Sequence, residues 1–193
     1  RGYLQLDDEI LDLNVTPNRG DAMSLLGIAR EVAALTRSVV ELPVPAPAMP
    51  LQETFPVVLT APEGCPKLAC RIVRGIDNTR PSPGWLRERL RRAGLRPISP
   101  VVDITQYVML EFGQPMHAYD LGKLTGRLEA RFAQAGEKVT LLDGKEIDLA
   151  RDVLVIADAK EPVGMAGVMG GLASSCRADT TDILFEAAFF TPS

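Results

Sequence analysis

The sequence predicts an α+β fold: a strand-rich module with short helices packed on an antiparallel sheet, preceded by the helical remnant of a neighbouring domain. Three observations predict it. Helical signals fall early, ending at Gly113. The last third of the chain carries a strong hairpin signal, Asp143-Gly144 between Val139-Thr140-Leu141-Leu142 and Ile147. No regular alternation of strand and helix runs through the chain, which excludes a doubly wound parallel sheet.

The elements follow in order. Residues 21 to 38 have a helical period, with Asp21 as N-cap and Leu25, Ile28, Val32 and Leu35 on one face. Pro43, Pro45, Pro47 and Pro50 then favour an extended, partly stiff connector, so the domain boundary is placed there. The resulting division is a helical tail over 1–40, a proline-rich linker over 41–50 and the main module over 51–193. Phe55 to Thr60 and Leu68 to Val73 read as short strands bounded by Pro and Gly. A helix follows, capped by Ser82, opened by Pro83 and ended by Gly94. Val108 to Phe112 complete another helix that Gly113 and Pro115 close. Val153 to Ala157 and Ile183 to Phe190 are further strands.

Composition narrows the function classes. At 193 residues and 46% hydrophobic content, the chain can bury one sizeable core and is not disordered. No apolar run approaches the roughly 20 residues that a membrane helix requires, and no signal peptide is visible. Starting at Arg1 and stopping at Thr191-Pro192-Ser193, the sequence reads as an excised piece of a longer polypeptide. Cys65, Cys70 and Cys176 are too few for a disulfide framework and are not spaced as a zinc site, which fits core thiols in a reducing cytoplasmic setting. No metal-ligand set is legible, and no cofactor is expected in this region. A net charge of −4 argues against a binder that works mainly by neutralising phosphates, although a local basic patch stays open.

Four features bear on chemistry. His117, in Gly113-Gln114-Pro115-Met116-His117-Ala118-Tyr119-Asp120, is the only histidine, so it is the one side chain whose ordinary pKa lies near neutrality. It reads either as a structural hydrogen-bonder or as a site residue. Glu186 lies in Ile183-Leu184-Phe185-Glu186-Ala187-Ala188-Phe189-Phe190, on the face of Leu184 and Ala188 and opposite Phe185 and Phe189. A carboxylate there needs a partner or a purpose, unless the face is the solvated side of an edge strand. Gly164-Met165-Ala166-Gly167-Val168-Met169-Gly170-Gly171 fits no phosphate-loop pattern and is read as a glycine-rich turn, or as a place of close backbone approach. Arg87, Arg89, Arg91, Arg92 and Arg96 form a basic run that is either a solvated helix face or a contact for an RNA backbone.

Motifs spread along nearly the whole chain resemble the β subunit of bacterial phenylalanyl-tRNA synthetase, in the region carrying its editing module. They include Val15-Thr16-Pro17-Asn18-Arg19-Gly20-Asp21, Cys65-Pro66-Lys67 leading to Arg71, and Leu90-Arg91-Arg92-Ala93-Gly94-Leu95-Arg96. The stretch from Val101 to Asp120, Leu142-Asp143-Gly144, Val155-Ile156-Ala157-Asp158, Gly167-Val168-Met169-Gly170-Gly171 and Leu184 to Phe190 continue the match in order. The resemblance implies post-transfer editing, the hydrolysis of tyrosine wrongly esterified to phenylalanine tRNA. It gives Glu186 the role of accepting the tyrosine phenol, Gly170 and Gly171 the shaping of the pocket, and His117 a place near the ester, where it orients water or the terminal ribose. Thr105 and Gln106 would line the same pocket. For the whole synthetase it implies ATP and Mg²⁺, an α subunit in an α2β2 heterotetramer, and the 3′ end of the tRNA as partner, with no DNA and no membrane. The competing reading is a non-catalytic module that braces the tetramer and guides the tRNA. Gln106 replaces a common asparagine, Leu68 a frequent tyrosine, and a Thr-x-Ala-like wall is expected beyond Ser193.

Overall fold

The computed structural model describes residues 7–42 and 44–192. Of the sequence expectations, the start of the helical tail (Arg1–Leu6), Pro43 of the connector and Ser193 lie outside the described residues. The elements run α1 (Leu25–Thr36), β1 (Val57–Leu59), β2 (Lys67–Val73), α2 (Gly84–Arg92), α3 (Pro100–Phe112), β3 (Met116–Asp120), β4 (Leu128–Phe132), β5 (Lys138–Thr140), β6 (Glu146–Asp148), β7 (Leu154–Ala157), β8 (Pro162–Met165), β9 (Met169–Gly170) and β10 (Ile183–Phe189). Residues 44–56 carry no regular element. The architecture is the α+β class that the sequence predicts.

The two helix starts differ from the sequence reading. Asp21 does not cap α1; it sits in a 3₁₀ turn and pairs with Arg19, while Ser24 accepts from the Gly27 N–H at 3.0 Å. Both residue types cap well, and the later one wins because the chain is still turning at Gly20–Ala22. Likewise Pro83, not Ser82, stands at the N-cap of α2, which begins at Gly84. The Ser82 hydroxyl is turned inward onto Asp103, at 2.5 Å. α3 opens with Ser99 and Pro100 and closes on Gly113 in the left-handed region (φ 77°), where glycine carries no steric penalty.

Two sheets form the body. β10, the last strand, is central to a three-stranded antiparallel sheet, β2-β10-β3. The second sheet has the order β1-β4-β7-β8-β9. It is not wholly antiparallel: β1 pairs parallel with β4, because the long connection through β2, the helices and β3 brings the chain back in the same direction. Ile72, Tyr119, Leu128, Ala130, Ile156, Val163 and Leu184 come from both sheets and, with Cys65 from the loop before β2, form the main core between them. The predicted hairpin is the β5–β6 pair, with Gly144 at φ 85° and the Asp143 carboxylate accepting from the Lys145 N–H. It closes a second core of Val139, Leu141, Leu149, Val155 and Ala157. α3 packs against β3, and α1 and α2 pack on α3.

Candidate ester-hydrolysis site

The site is assembled by strand register. In the β3–β10 ladder His117 stands directly opposite Glu186, and in the β2–β10 ladder Glu186 stands opposite Cys70. Directly paired residues share a face, so the period of two brings the lone imidazole and the buried carboxylate together. β10 is the central strand, and Glu186 is 6% exposed, which removes the reading of Glu186 as part of a solvated edge.

His117, Glu186, Tyr119 and Gly170 line a cavity of about 490 Å³. Its walls include Pro115 and Met116 on the β3 side, the 164–170 segment, and Ala188 to Phe190. That volume lies within the roughly 300–1,000 Å³ of small-molecule sites. The glycine-rich stretch is therefore both a turn between strands and a wall of the cavity. The His117 ring lies so close over Gly170 that a Cβ there would overlap it, with Nδ1 at 3.1 Å and Cε1 and Nε2 nearer. Gly171 has a different reason to be glycine. Its N–H donates to the Val163 carbonyl at 2.7 Å, and a Cβ would stand only 2.6 Å from that oxygen.

Electrostatics separate the two titratable groups. Burial lowers the His117 pKa to about 4, so the imidazole is neutral at pH 7. Its Nε2 is buried with no hydrogen-bond partner among the described residues. Burial raises the Glu186 carboxyl above its ordinary value, and the Tyr119 hydroxyl, which donates to Oε2, opposes that rise. Burial also pushes the Cys70 thiol up to about 12, with the Glu186 charge adding to the effect. All three cysteines are free. Among the described residues no group of three His, Cys, Asp or Glu side chains is placed to hold a metal ion.

The His117 shift has a measurable sign. A base whose pKa falls from 6.5 unfolded to about 4 folded contributes stability that is present above pH 6.5 and is lost as pH falls toward 4. The loss is expected to reach about 3 kcal/mol, at 1.36 kcal/mol per unit. Urea unfolding at pH 7 and pH 4 checks it: the drop in the wild type should exceed that of His117→Gln by this amount. Equal drops would show that burial of the neutral imidazole is not responsible.

Other predicted site residues lie elsewhere. Thr105 and Gln106 are on α3 and are not part of the cavity lining. The Thr105 hydroxyl donates to the Val102 carbonyl at 2.7 Å, and the Gln106 Oε1 is buried without a partner among the described residues. Gly171 lies just behind the lining. Sequence reasoning missed Tyr119, which is 2% exposed, bonds Glu186 and meets the His117 ring edge-on at 4.5 Å. The available signal was its position two residues after His117, on the same face of an extended segment. Of the basic run, Arg91 pairs with Glu88, Arg92 with Asp8, and Arg89 bonds the Tyr107 hydroxyl while lying 5.7 Å from the ring centre of the exposed Trp85.

Comparison with known proteins gives the family and the fold. The chain is 50% identical to the phenylalanine–tRNA ligase beta subunit of Hahella chejuensis over all its 193 residues, which is 24% of that relative. It is 49% identical to the corresponding subunit of Thiobacillus denitrificans, again over its full length and 25% of the relative. The chain thus spans about a quarter of the length of the curated relatives it matches. In fold it is similar to the crystal structure of an N-terminal fragment of the phenylalanyl-tRNA synthetase beta-subunit from Pyrococcus horikoshii. That likeness has a TM-score of 0.55 at 16% identity, covering 90% of this chain and 53% of the fragment. No helix among the described residues is long and apolar enough to cross a membrane. The B3/4 domain pattern matches residues 64–193, the span that contributes β2, β3, β10 and the whole lining of the cavity, and the chain therefore belongs to the B3/4 domain family.

Proposed function

We propose that this domain is the editing module of a phenylalanine–tRNA ligase β subunit and hydrolyses the ester of tyrosine attached to phenylalanine tRNA. The observation that carries the reading is the buried Glu186 facing His117 across one rung of the β3–β10 ladder, at a cavity that Gly170 keeps open. A pocket selective for phenylalanine rejects an isostere with one added hydroxyl poorly, so accuracy calls for a second sieve. Here a tyrosine phenol donates to Glu186 Oε1, which has no partner among the described residues. Phenylalanine leaves that oxygen unpaired. A hydrogen bond to a charged acceptor, ~1.5–3 kcal/mol, gives roughly ten- to a hundredfold preference.

In the reaction a water oxygen attacks the ester carbonyl, the bond to the ribose oxygen breaks, and that oxygen takes up a proton. His117, with a pKa of about 4, is a weak base for water, so its role is to orient the water or the ribose through Nε2. The tRNA 3′ end is the partner at the cavity. Synthesis with ATP and Mg²⁺ belongs to the rest of an α2β2 assembly, and the free cysteines suit the cytosol.

The test is release of tyrosine and of phenylalanine from preformed esters on phenylalanine tRNA, by the intact parent assembly with and without Glu186→Ala. Tyrosine release is expected to collapse while phenylalanine charging persists. Unchanged tyrosine release would end the editing reading. A second reading, a module that braces the assembly and guides tRNA, draws on the exposed Trp85 and the arginines of α2. Glu186→Ala and His117→Ala would leave that role intact.

A further inference from the structure

Glu186 is held by one side chain. Tyr119 donates its phenolic hydrogen to Glu186 Oε2, and no lysine or arginine pairs with this carboxylate among the described residues. Tyr119 is registered with Leu184, which makes it the diagonal neighbour of Glu186 across the ladder. Its ring lies edge-on to His117, 73° from coplanar. One buried side chain therefore touches both groups of the site.

The geometry points to Tyr119 as the positioning residue for phenol selection: its hydroxyl fixes Glu186 with Oε2 turned onto β3 and Oε1 presented to the cavity. The inference rests on the editing reading above and adds the group that orients the acceptor. A glutamate has three rotatable bonds, and a substrate phenol binds an oriented acceptor without having to order it first. The carboxylate also has acceptor capacity to spare, since two oxygens offer about four lone-pair sites and Tyr119 uses one. Because Tyr119 is almost wholly buried, its phenol is part of the wall and does not exchange with solvent.

The same hydroxyl favours the ionised form of Glu186 against the cost of burial. The titratable groups around it stay uncharged near neutrality. Burial raises the Cys65 and Cys70 thiols, His117 is neutral down to about 4, and the 164–170 wall contributes none. Loss of the hydroxyl would therefore let Glu186 take up a proton at a higher pH.

Tyr119→Phe in the intact parent assembly tests the inference, because it removes the hydroxyl and keeps the ring against His117. Release of tyrosine and of phenylalanine from preformed esters on the same tRNA is followed from pH 5 to 8.5, with kcat and KM separated and melting temperatures recorded. For tyrosine, kcat/KM is expected to fall roughly tenfold to a hundredfold near neutrality, chiefly through KM, with its acid limb moved to higher pH. The slow release of phenylalanine should not change, which shows that the variant is folded. Equal losses for both esters with the acid limb in place would mark a merely structural role and overturn the inference. So would unchanged or improved tyrosine release, the latter because Tyr119 would then be competing for the acceptor. Glu186→Ala, run in parallel, separates the failures. If it keeps tyrosine selectivity, the editing reading falls; if it loses selectivity while Tyr119→Phe keeps both selectivity and acid limb, editing stands and only the role of Tyr119 falls.

Discussion

Asp103→Ala is expected to cost about 2–4 kcal/mol of stability. The carboxylate is 1% exposed and serves two donors, the Ser82 hydroxyl at 2.5 Å and the Ile98 N–H at 2.7 Å. It thereby ties the segment before α2 and the segment before α3 to the first turn of α3. Alanine would leave the buried Ser82 hydroxyl unpaired, at about 1–3 kcal/mol, take the acceptor from the part-buried Ile98 N–H, and open a void as well. Ser82→Ala should cost less, about 1 kcal/mol, because Ile98 still serves the carboxylate. Urea unfolding of the two single variants and the double variant measures the coupling. Additive losses would show that the hydroxyl and carboxylate act independently and that the tie is not a unit.

Gly170→Ala is expected to do the reverse: little harm to folding, great harm to hydrolysis. The added methyl would overlap the His117 ring, which must swing away. The cavity beside it gives the ring somewhere to go, so the stability cost should stay near the low end of overpacking, about 1 kcal/mol. A displaced imidazole no longer orients its target, and a shift of about 1 Å can cost a hundredfold in rate. Melting curves together with release of tyrosine from preformed Tyr-tRNA provide the check. A variant that melts normally and still hydrolyses at full rate would show that the position of the His117 ring does not matter to the reaction.

These residues show how far the site was legible in the sequence. Glu186 was readable because a strand of known period carries its own face assignment, and seven residues of alternation fixed it beside Leu184. His117 drew notice for its scarcity, yet its strand did not: Met116 to Asp120 mixes polar and apolar residues on both faces, and their burial depends on β10, which lies far along the chain. The Tyr119–Glu186 bond was invisible for the same reason, being a product of register between distant strands. Thr105 and Gln106 came from resemblance alone, and α3 carries them outside the cavity. The caps of α1 and α2 were misassigned by one to three residues because Asp21 and Ser82 are good caps engaged elsewhere, by Arg19 two residues away and by Asp103 across the fold. The β5–β6 hairpin was the plainest element because a short turn closed by a left-handed Gly144 depends on its neighbours only.

The place of β10 in the chain has a consequence for how the molecule is made. β2 and β3 emerge from the ribosome first, and neither pairs with the other; both wait for a partner, which for β2 lies more than a hundred residues downstream. Until Ile183–Phe189 arrives, two strand edges stand open and the main core lacks Leu184. Contacts of such long separation slow folding, and unpaired edges are where nascent chains associate with one another. The strand that carries Glu186 thus pairs with both its neighbours late, so a chain cut short before it would lack the central strand of this sheet and the buried carboxylate together.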